Sequence, residues 1–220
     1  METIISNSYT HFLKFLFEHQ ESSEDWRFDH YLEEPQISKR DLVKYLIQMF
    51  ENYQTDVAHY SDWQIAKGIE FIFNNIFSDW VFALREGPTP LEDRIMAIQG
   101  LKTFFSECFE KRCAPSLGHY SEEGNPLNYI CYMLWDISPL AYCEGLQDKE
   151  ALYQAVTEVM EFSLQLNNKA CVESGLHGLG HLVMFYPKAS RIIERNIRRF
   201  RRIDPRLTTY AKSAMKGYIL

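Results

Sequence analysis

Apolar residues recur along this chain at spacings of three and four, in segments divided by polar, proline-containing or glycine-containing stretches. That period puts them on one face of an α-helix, where an alternating pattern would put them on one face of a strand. Nine segments carry it: "SYTHFLKFLFEH", "SKRDLVKYLIQMFENY", "SDWQIAKGIEFIFNNIF", "TPLEDRIMAIQGLKTFFSECFEKRC", "NPLNYICYMLWDI", "DKEALYQAVTEVMEFSLQL", "NKACVESGLHGLGHLVMFY", "KASRIIERNIRRF" and "DPRLTTYAKSAMKGYI". Several bring their own start signals. Ser38 stands three residues before Asp41, and Thr89, Asn125 and Asp204 each precede a proline. A short polar side chain can accept from the first free N–H groups of a helix, and proline suits the first helical position. Thr89 is therefore expected as an N-cap, with Pro90 first and Glu92 third in the helix. No alternating apolar run is bounded by Asn-Gly or Asp-Gly. The predicted fold class is all-α, with about nine helices packed as antiparallel helical hairpins.

Small residues recur inside these helices, as in "IAKGIEFI", "IMAIQGLKTF", "ESGLHGLGHL" and "AKSAMKGYIL". A glycine within a helix costs about 0.5–1 kcal/mol relative to alanine. Repeating that cost implies a repeated return, and close helix–helix approach supplies one. In this the chain resembles the HEAT and armadillo-type α-helical repeat proteins, over residues 61–220. The resemblance implies an α-solenoid-like array with right-handed or irregular curvature, working through an extended binding surface. Residues 1–60 form the less repeat-like N-terminal part of a single all-helical domain spanning 1–220.

Composition agrees with a folded chain. Of 220 residues, 46% are hydrophobic, with 15 Phe, 13 Tyr and 4 Trp, enough to bury a sizeable core. The longest apolar runs, such as "FLKFLF" and "LVMFY", fall far short of a membrane span. "METIISNSYTHF" lacks a basic region followed by a long apolar run, so no secretory leader is expected and the cytoplasm is the expected location. Five cysteines, without a CxxC, read as buried reduced thiols acting as small hydrophobes.

Residues 171–182, "CVESGLHGLGHL", combine three glycines with two histidines. His177 and His181 lie four apart on one helix face, and Glu173 extends the stripe by another turn. Two histidines and a carboxylate can ligate zinc or a similar ion. Gly178 stands where zinc proteases place a glutamate, and no second histidine motif completes a four-helix metal site. A further ligand would have to come from His119, Cys171 or Asp136. The favoured expectation is a packing seam with polar pegs, holding no metal and no cofactor, and Glu173, His177 and His181 are the alternative metal set. No nucleophile elbow, dinucleotide fingerprint or phosphate loop occurs.

Charge is unevenly spread behind a net −7. Lys188 to Lys216 hold ten Lys and Arg against two acids, whereas the first 187 residues hold 13 against 28. Arg191, Arg195, Arg198 and Arg202 fall on one helix face and could meet phosphates. Residues 18–34 carry seven acids with Trp26, Phe28 and Tyr31. There Glu21, Glu24, Asp25, Trp26, Asp29 and Tyr31 are candidate partner contacts, because aromatics supply buried area and carboxylates steer a basic partner. The expected function is non-enzymatic binding of a macromolecule, above all a protein and not a membrane. A bacterial immunity protein that neutralises a toxin domain is its more specific form. The alternatives are a nucleic-acid-binding or nucleic-acid-processing enzyme using the arginine stripe, and a metalloprotein using His177 and His181.

Overall fold

A computed structural model describes residues 8–22, 24–29 and 31–219. The leader expectation for the first seven residues lies outside them. All nine expected segments are helical, and no strand occurs among the described residues. The longer helices are α1 (Tyr9–Phe17), α2 (Lys39–Glu51), α4 (Asp62–Phe73), α6 (Leu91–Phe104), α8 (Pro126–Ile137), α9 (Lys149–Ser163), α10 (Lys169–Leu182), α11 (Lys188–Ile203) and α12 (Pro205–Ala214). Short helical turns sit between them: α3 (Tyr53–Asp56), α5 (Phe82–Arg85) and α7 (Glu110–Arg112). A π-turn over Phe105–Phe109 joins α6 to α7. None of the described helices is long and apolar enough to cross a membrane.

The start signals operate as the spacing predicts, with one exception. Ser38 accepts from the Asp41 N–H, Asn125 forms a capping box with Asn128, and Asp204 accepts from the Arg206 N–H. Thr89 does not cap α6. Pro90 keeps an extended backbone (ψ 142°), so the helix starts one residue later, without a side-chain cap. Thr89 is buried instead, and its carbonyl accepts from the Arg94 guanidinium at 3.2 Å. Arg94 also donates to the Arg85 carbonyl and to Asp148, at 2.5 and 2.6 Å. A buried, multiply bonded arginine thus takes over the anchoring that a threonine cap would give.

Neighbour relations place the helices in two rows. α1, α4, α8, α10 and α12 lie side by side in that order, and α2, α6 and α9 form the second row. α9 also packs on α10, and α11 packs on both α10 and α12. The glycines mark where helices come closest. A Cβ on Gly68 of α4 would lie 2.8 Å from the Leu16 carbonyl of α1. On Gly100 of α6 it would lie 2.8 Å from the Phe50 ring of α2.

The tightest packing surrounds α10. Every residue from Ala170 to Gly180 is buried, so this helix has almost no face toward water. Gly175 faces α9, where a Cβ would lie 2.7 Å from the Met160 carbonyl. Gly178 faces α8, where it would lie 2.6 Å from the Trp135 ring. Gly180 faces the end of α12, 3.2 Å from the Ala214 Cβ. The expected packing seam is therefore present, and it closes three sides of one helix. All five cysteines are buried and free. Cys131 lies in thiol–thiol contact with both Cys113 and Cys171, and burial pushes its own thiol pKa up. These groups stay neutral and unreactive.

Gly175→Ala is expected to cost about 2 kcal/mol, because the opposing Met160 carbonyl belongs to a helix backbone that cannot turn aside. Lys212→Ala, on the exposed side of α12, should stay within about 0.5 kcal/mol of the parent. Urea midpoints measure both. Equal midpoints for Gly175→Ala and the parent would contradict the close approach.

Candidate metal centre

The α10 stripe at positions 173, 177 and 181 faces α8 and α12. Asp136 occupies the last turn of α8, one turn beyond Tyr132. Ser138 precedes Pro139 and is extended, which ends α8 just after the aspartate. Tyr210 comes from the middle of α12. α8 and α10 bring Asp136, His177 and His181 together, with ligand atoms all within 4.8 Å of one another.

His177 Nε2 meets Asp136 Oδ2, and its Nδ1 meets the Tyr210 hydroxyl. His181 Nε2 lies 2.6 Å from Asp136 Oδ1 and 3.2 Å from His177 Nε2. Two imidazole nitrogens and a carboxylate thus converge on one point. The His177 side chain is 4% exposed, whereas those of His181 and Asp136 are 30% and 26% exposed. The centre is therefore walled on one side and reachable from solvent on the other. Burial raises the Asp136 pKa, but hydrogen bonds from His177 and His181 outweigh it and hold the carboxyl well below its usual range. The aspartate is an anion at neutral pH. Burial and the neighbouring Tyr132 push Tyr210 far above the usual phenol range, so it stays a neutral hydroxyl.

Glu173 takes a different partner. It accepts from the Gly118 N–H at 2.6 Å, from the His119 N–H at 3.1 Å, and pairs with the His119 ring. The His119 ring stacks on Tyr210, with centroids 4.2 Å apart. Glu173 therefore belongs to a neighbouring pair that supports Tyr210 from behind. Asp136 joins the two histidines in its place, and of the three distant residues considered from sequence it alone does so. Tyr132 and Tyr210 were not singled out. The available signal was that Asn128, Tyr132 and Asp136 recur at intervals of four on α8 and so make one polar stripe.

Beside the centre, a cavity of about 310 Å³ opens between α8 and α10, with Asn125, Asn128, Tyr129, Tyr132, Glu122 and Glu173 among its walls. Glu122 is held by Arg206 at 2.5 Å and Lys169 at 3.0 Å. Asp204 is held by Arg206 at 2.6 Å. This charged cluster ties the start of α12 to the loop before α8.

The two surfaces expected to meet partners fare differently. In the acidic segment, Asp25 pairs with Arg27 and with Lys67 at 2.8 Å. Trp26 is half-buried and stacks on His19 at 3.9 Å. Glu21, Glu24, Asp29 and Tyr31 remain exposed. On α11, Arg191, Arg195, Arg198 and Arg202 are exposed. Arg195 pairs with Glu161 at 3.1 Å. The other three have no ion pair among the described residues. Arg199, outside the stripe, donates to the Leu164, Gln165 and Leu166 carbonyls and so caps α9.

No protein-family model matches the chain, and neither curated proteins nor solved structures give a significant match.

The charged cluster makes stability depend on acid pH. Arg206, the Leu117 N–H and Lys169 pull the Glu122 pKa from 4.5 down to about 2. Arg206 is the chief cause of a shift of Asp204 from 3.8 to about 2. A carboxyl depressed on folding stabilises above its unfolded pKa and loses that effect as pH falls through the folded value. Urea midpoints are therefore expected to fall between pH 4.5 and pH 2. Glu122→Gln should flatten that fall, and an unchanged slope in the variant would contradict the assignment.

Proposed function

We propose that the chain is a metalloprotein that holds one divalent first-row transition ion between Asp136, His177 and His181. The observation carrying this reading is the convergence of both Nε2 atoms on the Asp136 carboxylate. At an N–metal distance of about 2.05 Å, two nitrogens 3.2 Å apart subtend about 100° at the ion, close to the tetrahedral angle. Asp136 draws back slightly to admit the ion, which its partly exposed position at the end of α8 permits. The Tyr210 hydroxyl then accepts from His177 Nδ1–H, leaving Nε2 as the ligand. An N₂O donor set suits zinc and other borderline ions.

Three protein ligands with a solvent-facing side leave a coordination position for water or substrate. That layout belongs to catalytic rather than to structural sites. The chemistry it supports is activation of a bound water or polarisation of a substrate oxygen. The scaffold that goes with this reading is a helical-repeat array of the HEAT or armadillo kind, supported by the two helix rows and by the glycines at their close approaches.

Titrating the chelator-treated chain with Co²⁺ or Zn²⁺ tests the proposal. One ion per chain is expected, with visible Co²⁺ absorption bands of a four- or five-coordinate N/O site. His181→Ala, at a partly exposed position, should lower affinity at least 100-fold while the chain stays folded. Tyr210→Phe should lower it about tenfold by removing the partner that orients His177. Absence of stoichiometric binding, or equal affinity in His181→Ala, sinks the proposal.

A further inference from the structure

A cavity lies on the acidic segment, and it is lined by none of Asp136, His177 and His181. It is open, holds about 660 Å³ and is walled by the rings of His19, Trp26, Phe28 and Tyr31. Glu24, Asp25 and Asp29 also line it, and among the described residues no Lys or Arg does. Asp25 is already neutralised by Arg27 and Lys67. The Glu24 carboxylate has no partner among the described residues, and that of Asp29 accepts only from the Tyr31 backbone N–H. Tyr31 is 95% exposed and Phe28 62%, although each carries apolar area that folding would normally cover. Trp26 leaves its indole N–H without an acceptor among the described residues.

We propose that this cavity receives an arginine side chain from a basic segment of a partner protein. A guanidinium stacks on aromatic faces and donates in a fork that matches carboxylates, so aromatic walls with unneutralised acids fit it better than the compact ammonium of lysine. The chain makes the same arrangement internally, a few ångströms away. The Arg27 guanidinium lies 3.9 Å over the Phe77 ring while pairing with Asp25 and Glu70. The proposal commits to a basic partner because the charge complementary to this cavity is positive, and it does not depend on the metal reading.

The probes are octa-arginine, octa-lysine and octa-glutamate peptides, titrated calorimetrically into the full chain at low and at moderate salt. Octa-arginine is expected to bind more tightly than octa-lysine, and octa-glutamate not at all. Tyr31→Ala and Phe28→Ala leave the charge unchanged and sit at exposed positions, so they should fold, and each should weaken octa-arginine at least fivefold. Glu24→Gln with Asp29→Asn should weaken it tenfold or more. If the charge variants weaken binding and the aromatic variants do not, the attraction is diffuse and the cavity is not the site. Self-association of the chain at low salt, reversed by Arg198→Glu and by octa-arginine, would make the occupant a second copy's α11 and overturn the separate partner. No binding of octa-arginine at low salt also overturns it.

Discussion

The burial of α10 on nearly all sides is the constraint on which the remaining structure depends. Neighbours on α8, α9 and α12 come this close because Gly175, Gly178 and Gly180 carry no side chains, and α11 packs on it as well. Each glycine lowers the helix propensity of this segment, so tertiary packing must supply the stability that the local sequence gives up. It follows that α10 is well formed only when its neighbours are in place. It also follows that any polar side chain on α10 must find its partners inside the protein, since water does not reach most of the helix.

The polar stripe on α10 meets that demand with fixed partners. Glu173, 1% exposed, is held by two backbone N–H groups and His119. One turn on, His177 lies between Tyr210 and Asp136, and a further turn brings His181 to the same carboxylate. Tyr210 joins the two halves, hydrogen-bonded to His177 and stacked on His119. Such a network orients the His177 imidazole through its other nitrogen, as a metal ligand requires. The glycines and the histidines of "CVESGLHGLGHL" therefore do separate jobs on different faces of one helix. Close packing and the proposed ion site are thus compatible on one helix.

How far the sequence could be read follows from the range of each interaction. Helix positions and most caps were legible because they depend on neighbours within four residues, as with Ser38 and Asp41 or Asn125 and Asn128. Thr89 misled because Arg94, which is held by the Arg85 carbonyl and by Asp148 54 residues further on, settles the start of α6. The i, i+4 rule found the His177–His181 pair and extended it to Glu173. It carried no information on whether Glu173 or Asp136, 41 residues before His177, would face the rings. Asp25 likewise looked like a free surface acid until Lys67 of α4 was placed beside it.

The proposed ion gives polar groups at this seam a role beyond packing. Paired ionic and polar groups in a protein interior are often no more stabilising than well-packed apolar residues of similar volume, because desolvation offsets their attraction. The chain has abundant aromatic and aliphatic residues with which such a seam could have been filled. Exposure along the stripe also runs in one direction, from 1% at the Glu173 side chain through 4% at His177 to 30% at His181. The groups that fix geometry lie deepest, and those that could touch a ligand lie at the mouth. A helix face that runs from core to surface grades its exposure in any case, and in the proposed centre this order turns the open side of the ion toward solvent.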